Sequence, residues 1–166
     1  MRFIKALGIL IFISVMISCG GDDYYNMAIY YGKKGDHRKA IEYFDKAIGK
    51  NPKDIDAYHN RGISKQMIGE ELGAIEDYTK AIELKPNDFD SYTNRGVAKM
   101  RLERYDEAIV DYKKAIEINN KFALAYSNLG NAYFLIQDFD NACVSWKKAV
   151  ELGHKESEDK IFNSCK

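Results

Sequence analysis

The chain has 166 residues, 46% of them hydrophobic and 30% charged, with 25 basic residues against 25 acidic ones. This is the make-up of one folded domain with enough apolar side chains for a core, and it excludes a disordered chain. A neutral chain lacks the electrostatic footprint of a nucleic-acid binder, and three cysteines are an odd number for an exported protein unless one thiol is otherwise used.

The first element supplies that use. Met1 to Lys5 carries two positive charges, and Ala6 to Ile17 is an apolar run interrupted by Gly8 and Ser14 and closed by Ser18-Cys19-Gly20-Gly21. At about a dozen residues the run falls short of the ~20 that a spanning helix needs, so the expectation is a cleaved signal peptide over 1–18. Met16-Ile17-Ser18-Cys19 resembles the lipobox of bacterial lipoproteins, with Met16 and Ile17 departing from the preferred residues. The resemblance implies that Cys19 is acylated and becomes the new N-terminus, so that the protein meets the membrane through lipid. It also implies the outer membrane of the cell envelope, because Gly20 stands where an Asp retains such proteins at the inner membrane. The other reading is a plain secretory signal with an incidental Cys. Residues 19–23 then form the lipidated Cys and a short polar tether. Without Arg2 and Lys5 the chain has 23 basic residues against 25 acidic, a net charge of −2.

Beyond this leader the chain repeats. Tyr58, Asn60, Arg61, Gly62, Lys65, Ala74, Asp77 and Ala81 return 34 residues later as Tyr92, Asn94, Arg95, Gly96, Lys99, Ala108, Asp111 and Ala115. Slid in both directions, the frame divides the chain into 21–54, 55–88, 89–122 and 123–156, and a fixed period of this size is the mark of a solenoid. Within each unit apolar and small residues fall twice at helical spacing, with a break at Gly35, Gly69, Glu103 and Gln137, so each repeat is a helical hairpin. Pro52 and Pro86 stop the second helix, and Asp54 and Asp88 sit where the next helix needs an N-cap. Ala40, Ala74, Ala108 and Ala142 face Ala28, Gly62, Gly96 and Gly130, since two helices approach closely only where side chains are nearly absent. Ile41, Ile75, Ile109 and Cys143, with Ile48, Ile82, Ile116 and Val150, form a stripe that the next hairpin buries.

The expected fold class is therefore all-α, an α-solenoid of four hairpins over 24–154 with a capping helix over 155–166. The cap covers the last stripe, with Ile161, Phe162 and Cys165 on its inner side. Cys143 lies ten residues before the turn at Gly153 and Cys165 twelve after it, so antiparallel helices rising ~1.5 Å per residue bring the thiols to one level. A Cys143–Cys165 disulfide is expected, worth about 3 kcal/mol in the chain-entropy model. The alternative is two separately buried thiols, Cys143 merely replacing the Ile of earlier repeats.

Tyr126, Leu129, Gly130, Tyr133, Ala142, Trp146 and Ala149 stand at the landmarks of the tetratricopeptide repeat, which residues 21–156 resemble; His154 and Asn120 replace the final Pro of the last two copies. The resemblance implies a protein that binds other proteins or peptides. The middle repeats depart from the pattern together. Arg61, Lys65 and Asp77, and Arg95, Lys99 and Asp111, occupy places that read Met27, Tyr31, Tyr43 and Leu129, Tyr133, Ser145 in the outer copies. Charges that come and go as a set are read as a structural polar cluster between helices, because a half-buried cation without its Asp is costly.

No chemistry is legible. His37, His59 and His154 occupy unrelated repeat positions with no partner at metal-ligand spacing, and there is no phosphate loop, EF-hand or G-x-S-x-G pattern. No catalytic residue, metal or cofactor is expected, and no small-molecule substrate is evident; the chain is read as not an enzyme. The surface that can bind is the concave one, lined by first helices. Asn26, Asn60, Asn94 and Asn128 would form a ladder able to hold an extended peptide by its backbone. Around it lie Tyr25, His59, Thr93 and Ser127, then Ile29, Ile63, Val97 and Asn131, then Met67, Met100, Arg101, Phe134 and Leu135. Packing of the hairpins is the competing role for the ladder. The Lys and Arg clamp by which related repeats grip acidic chaperone tails is absent, Asp22, Asp56, Asp90 and Leu124 standing at its second positions. The functional expectation is a lipid-anchored envelope adaptor or scaffold, with a secreted or surface-exposed effector acting on host or neighbouring cells as the alternative.

Overall fold

The computed structural model describes residues 21–165, with side chains from Asp23 onward; Cys19 and the leader lie outside the described residues, as does Lys166. Four hairpins follow one another: α1 (Gly21–Lys33) with α2 (His37–Lys50), α3 (Ile55–Met67) with α4 (Glu71–Leu84), α5 (Phe89–Arg101) with α6 (Tyr105–Ile118), and α7 (Ala123–Leu135) with α8 (Phe139–Glu151). A 3₁₀ turn, Lys155–Ser157, leads into α9 (Glu158–Ser164), and there is no strand among the described residues. Each helix packs on its chain neighbour, and each first helix also touches the first helix of the next hairpin, which puts α1, α3, α5 and α7 on the inner side of the stack. The α-solenoid with a C-terminal helix is the observed fold.

The local causes are visible in the turns. Gly35, Gly69, Glu103 and Gln137 all adopt positive φ, between 59° and 81°, at the same place in their hairpins. The left-handed residue reverses the chain in each case, although only two of the four are glycine. Asp36, Asp54 and Asp138 accept hydrogen bonds from the backbone N–H three residues on and cap α2, α3 and α8. Asp88 departs from the expected N-cap. Its carboxylate takes the Ser91 hydroxyl at 2.5 Å and the Lys85 ammonium at 3.1 Å in place of a backbone N–H.

Inside each hairpin a ring from the second helix lies on a small residue of the first. Phe44, Tyr78, Tyr112 and Trp146 are buried at equivalent places. A Cβ added at Gly62 or Gly96 would stand 2.8 Å or 2.6 Å from the facing tyrosine ring, so the ring occupies the volume a side chain would need. The first hairpin tolerates Ala28, buried in the same cluster as Phe44.

Two expectations are corrected. Residues 21–23 are the first turn of α1 and not a tether. Phe162, placed above on the inner side of the cap, is 86% exposed. The reason is helical phase: Ser157, Lys160, Ile161, Ser164 and Cys165 share the inward stripe, and Phe162 lies outside it. Cys143 and Cys165 are joined by a disulfide with their Cα atoms 5.7 Å apart, tying α9 to α8.

Candidate functional site

Two ion-pair staples fasten the first helices of the middle hairpins to the second helices beside them. In the second hairpin Arg61 on α3 donates two hydrogen bonds to Asp77 on α4, through Nε at 2.9 Å and NH2 at 2.5 Å, and Lys65 joins the same carboxylate at 2.9 Å. The third hairpin repeats this with Arg95, Asp111 and Lys99 at 3.0, 2.7 and 2.7 Å. The remaining NH1 of each arginine reaches back to the preceding hairpin, Arg61 to Asp45 at 2.6 Å and Arg95 to Thr79 at 3.0 Å. The expected cluster is thus two clusters, each closing its own hairpin and fastening it to the one before. Burial opposes the charge of Arg61, but its hydrogen bonds to Asp77 and Asp45 outweigh that and raise its pKa. In the first hairpin Tyr31 and Tyr43 stack at 5.3 Å instead, filling the same space with apolar surface.

The asparagine ladder is partly consumed by the fold. Asn60 gives both amide protons away, one to the Tyr25 hydroxyl at 3.1 Å and one to the Asp56 carbonyl at 2.8 Å. Asn94 lies 3.3 Å from Nε2 of His59. Each amide therefore reaches the preceding first helix, which is the packing role; Asn26 is exposed and Asn128 half-buried. Nδ1 of His59 lies 2.8 Å from the Ser91 hydroxyl, which donates to Asp88. This Asp, Ser and His run is no nucleophile relay, since the serine is buried and gives its proton to the carboxylate.

Three residues placed in the groove are withdrawn from it. Thr93 is buried and donates to the Phe89 carbonyl. Ser127 is buried under the cap, accepting from the Ser157 hydroxyl at 3.1 Å. Asn131 accepts from Trp146 Nε1 at 3.1 Å and from Lys160 at 2.9 Å, and Lys160 also lies over the Trp146 ring. The capping segment closes this end, an effect invisible in the repeat pattern because α9 is not part of it. The open stretch runs from α1 to α5. Tyr25, Ile29 and Val97 are half-buried there, and Ile63 and Met67 are exposed.

The comparisons agree with this architecture. Three sequence models of the family match: one described as a tetratricopeptide repeat over residues 22–54, one described as a TPR repeat over 72–103 and 99–137, and another tetratricopeptide repeat over 123–152. The chain is a tetratricopeptide-repeat protein.

Solved structures of MamA resemble it over 80–87% of its length. A crystal structure of MamA is 29% identical with a TM-score of 0.78, covering 83% of this chain and 81% of its own. A second MamA structure is 25% identical with a TM-score of 0.75, covering 80% and 72%. MamA 41-end from Desulfovibrio magneticus RS-1 shares the fold at 19% identity, TM-score 0.76, over 87% of this chain and 92% of that one. No curated protein matches the sequence. Tetratricopeptide repeats and such neighbours are scaffolds for protein contacts, which implies protein or peptide partners. Gln66 and Glu71, which link Tyr78 to Arg101 between α3 and α5, are not singled out by the sequence reading; comparison of equivalent places across the repeats, residue by residue, carries that signal.

Proposed function

We propose that this chain is a membrane-tethered scaffold that holds an extended segment of another envelope protein along its inner face, between α1 and α5. The observation that carries the reading is the exposed apolar pair Ile63 and Met67, 37% and 61% exposed, on the concave side of a staple-rigidified stack. Tethering through acyl chains on Cys19 is supported by the apolar run that ends there, and several chains give the durable anchoring that one does not. Because α1 begins at Gly21, two residues beyond Cys19, the lipid would hold the first hairpin against the bilayer. The outer membrane is the compartment proposed, on the strength of Gly20.

Site-specific photo-crosslinking in cells tests the groove. A crosslinker at Met67 is expected to give a discrete protein adduct, and one at Val110, 65% exposed on α6, is expected to give none. Adducts from Val110 alone would move the binding surface to the outer face. Cys19→Ala is expected to abolish acyl labelling and release the protein from membranes; an unchanged, labelled, membrane-bound product would refute the lipid tether.

A further inference from the structure

The gaps between successive first helices are unequal. Between α3 and α5 the space is plugged by a polar chain. The Tyr78 hydroxyl donates to Gln66 Oε1 at 2.5 Å, the Gln66 amide reaches Glu71 at 3.4 Å, and Arg101 closes over the Glu71 carboxylate at 2.9 Å and the Gln66 carbonyl at 3.2 Å. One period earlier the same four places hold Phe44, Gly32, His37 and Met67. The phenol, the carboxamide, the carboxylate and the guanidinium are all gone together. What remains between α1 and α3 is a cavity of about 250 Å³, lined by Phe44, Ile29 and Ile63 with Lys33 and Asn60 beside them.

The vacancy is not imposed by the backbone. Gly32 lies inside α1, where glycine weakens a helix, and it is not among the positive-φ glycines. A Cβ built on it meets only the Ala40 Cβ, at 3.9 Å, so a side chain has room. His37 lines the cavity, and its Nδ1 is the one buried side-chain polar atom without a hydrogen-bond partner among the described residues. Such an atom calls for a partner, because leaving it unmade costs the full desolvation of the group.

We propose that this cavity is a socket for one side chain of the bound peptide, apolar along its length and ending in a neutral group that both donates and accepts, as in tyrosine or glutamine. The inference rests on the groove reading above and deepens it. The next repeat displays the filler that this shape accepts, a carboxamide and a phenol meeting tip to tip. His37 Nδ1 is closed to solvent with the ring as it stands, so the ring turns to meet the tip, and a tip that donates and accepts then satisfies it in either tautomer. The apolar surface of Phe44, Ile29 and Ile63 disfavours a charged tip, and Lys33, the one lysine of the lining, repels a cationic one.

Free p-cresol and toluene serve as side-chain probes, followed by two-dimensional NMR through the Gly32 and Asn60 resonances of the folded protein. The expected result is saturable shifts with p-cresol and at least about threefold weaker binding of toluene, the difference a single added hydrogen bond makes. Gly32→Gln with Phe44→Tyr, which transplants the second-repeat plug, is expected to abolish the p-cresol shifts while keeping the thermal midpoint at or above that of the parent; Gly32→Gln alone stands in if the pair fails to fold. Absence of saturable shifts in the parent, or shifts that survive the plug, overturns the socket. Undiminished adducts from Met67 in the plugged protein also overturn it while leaving the groove standing. Fragment binding with no adduct from Met67 in the parent overturns the groove reading alone.

Discussion

Asp111 serves two cations at once, Arg95 and Lys99, from a buried position on α6. Removing it strands both, and a half-buried cation without its counterion costs far more than the intact pair contributes. Asp111→Ala is expected to lower stability by about 2–4 kcal/mol in urea unfolding. The last hairpin shows the repair: Arg95→Leu with Lys99→Tyr and Asp111→Ser copies Leu129, Tyr133 and Ser145 and is expected to recover most of the loss, whereas a triple variant no better than the single one would show that the staple has no apolar substitute. His59 is a second residue whose charge is governed by its surroundings. Burial pushes its pKa below the usual 6.5, against the pull of Asp88, Asp90 and Asp56, with Ser91, Asn94 and the Tyr78 ring packed around it. The unfolded chain then takes up the proton more readily, so the stability conferred by neutral His59 is complete above the ordinary histidine range and is lost as pH falls below it. Between about pH 7 and about pH 5 the parent is expected to lose more stability than His59→Gln in paired urea melts; equal losses would show that the imidazole carries no such linkage.

At the scale of the element, the hairpin turn is defined by one left-handed residue, and the chain fills it twice with glycine and twice with side chains that resist it, Glu103 at φ 59° and Gln137 at φ 63°. A non-glycine residue there carries a steric penalty of about 1 kcal/mol. Glu103→Gly and Gln137→Gly are each expected to stabilise the protein by about 0.5 kcal/mol after the added freedom of the unfolded chain is counted, and Gly69→Ala to destabilise it by about 1 kcal/mol. Calorimetric midpoints check all three, and a fall in stability for both glycine variants would show that the side chains at those turns contribute more than the strain costs. These turns, the hairpins and the paired charges were legible in the sequence because each depends on residues at a fixed spacing within one period. The fate of Thr93, Ser127 and Asn131 was not, since it depends on which way a short helix outside the period folds back. Phe162 shows the same limit: with seven residues in α9, a shift of one position turns the inward face by about 100°. The double use of Asn60 was hidden because an amide at a groove position looks the same whether it awaits a peptide or already holds Tyr25.

Over the whole molecule the two ends of the stack are finished differently. The C-terminal end is covered by α9, and the Cys143–Cys165 bridge closes a covalent ring that holds the cover in place. The two middle hairpins carry the ion-pair staples, which also fasten each of them backward to its neighbour. The first hairpin is bound by stacked tyrosines, and its inner seam with α3 is the one that contains the empty socket. Contacts in a solenoid run only between neighbours, so its unfolding proceeds like the opening of a zip, from whichever end yields first. Among the described residues one end is riveted and the other is not, which gives the zip a direction: the chain opens from α1 toward α8. Hydrogen exchange is expected to be fastest in α1 and α2 and slowest in α7 and α8, and reduction of the disulfide to raise exchange in α8 and α9 without altering α1; uniform exchange along the stack would mean that it opens as one unit. A partner lodged between α1 and α3 would then act on the free end of the zip, so that occupancy and the mechanical integrity of the scaffold rise and fall together.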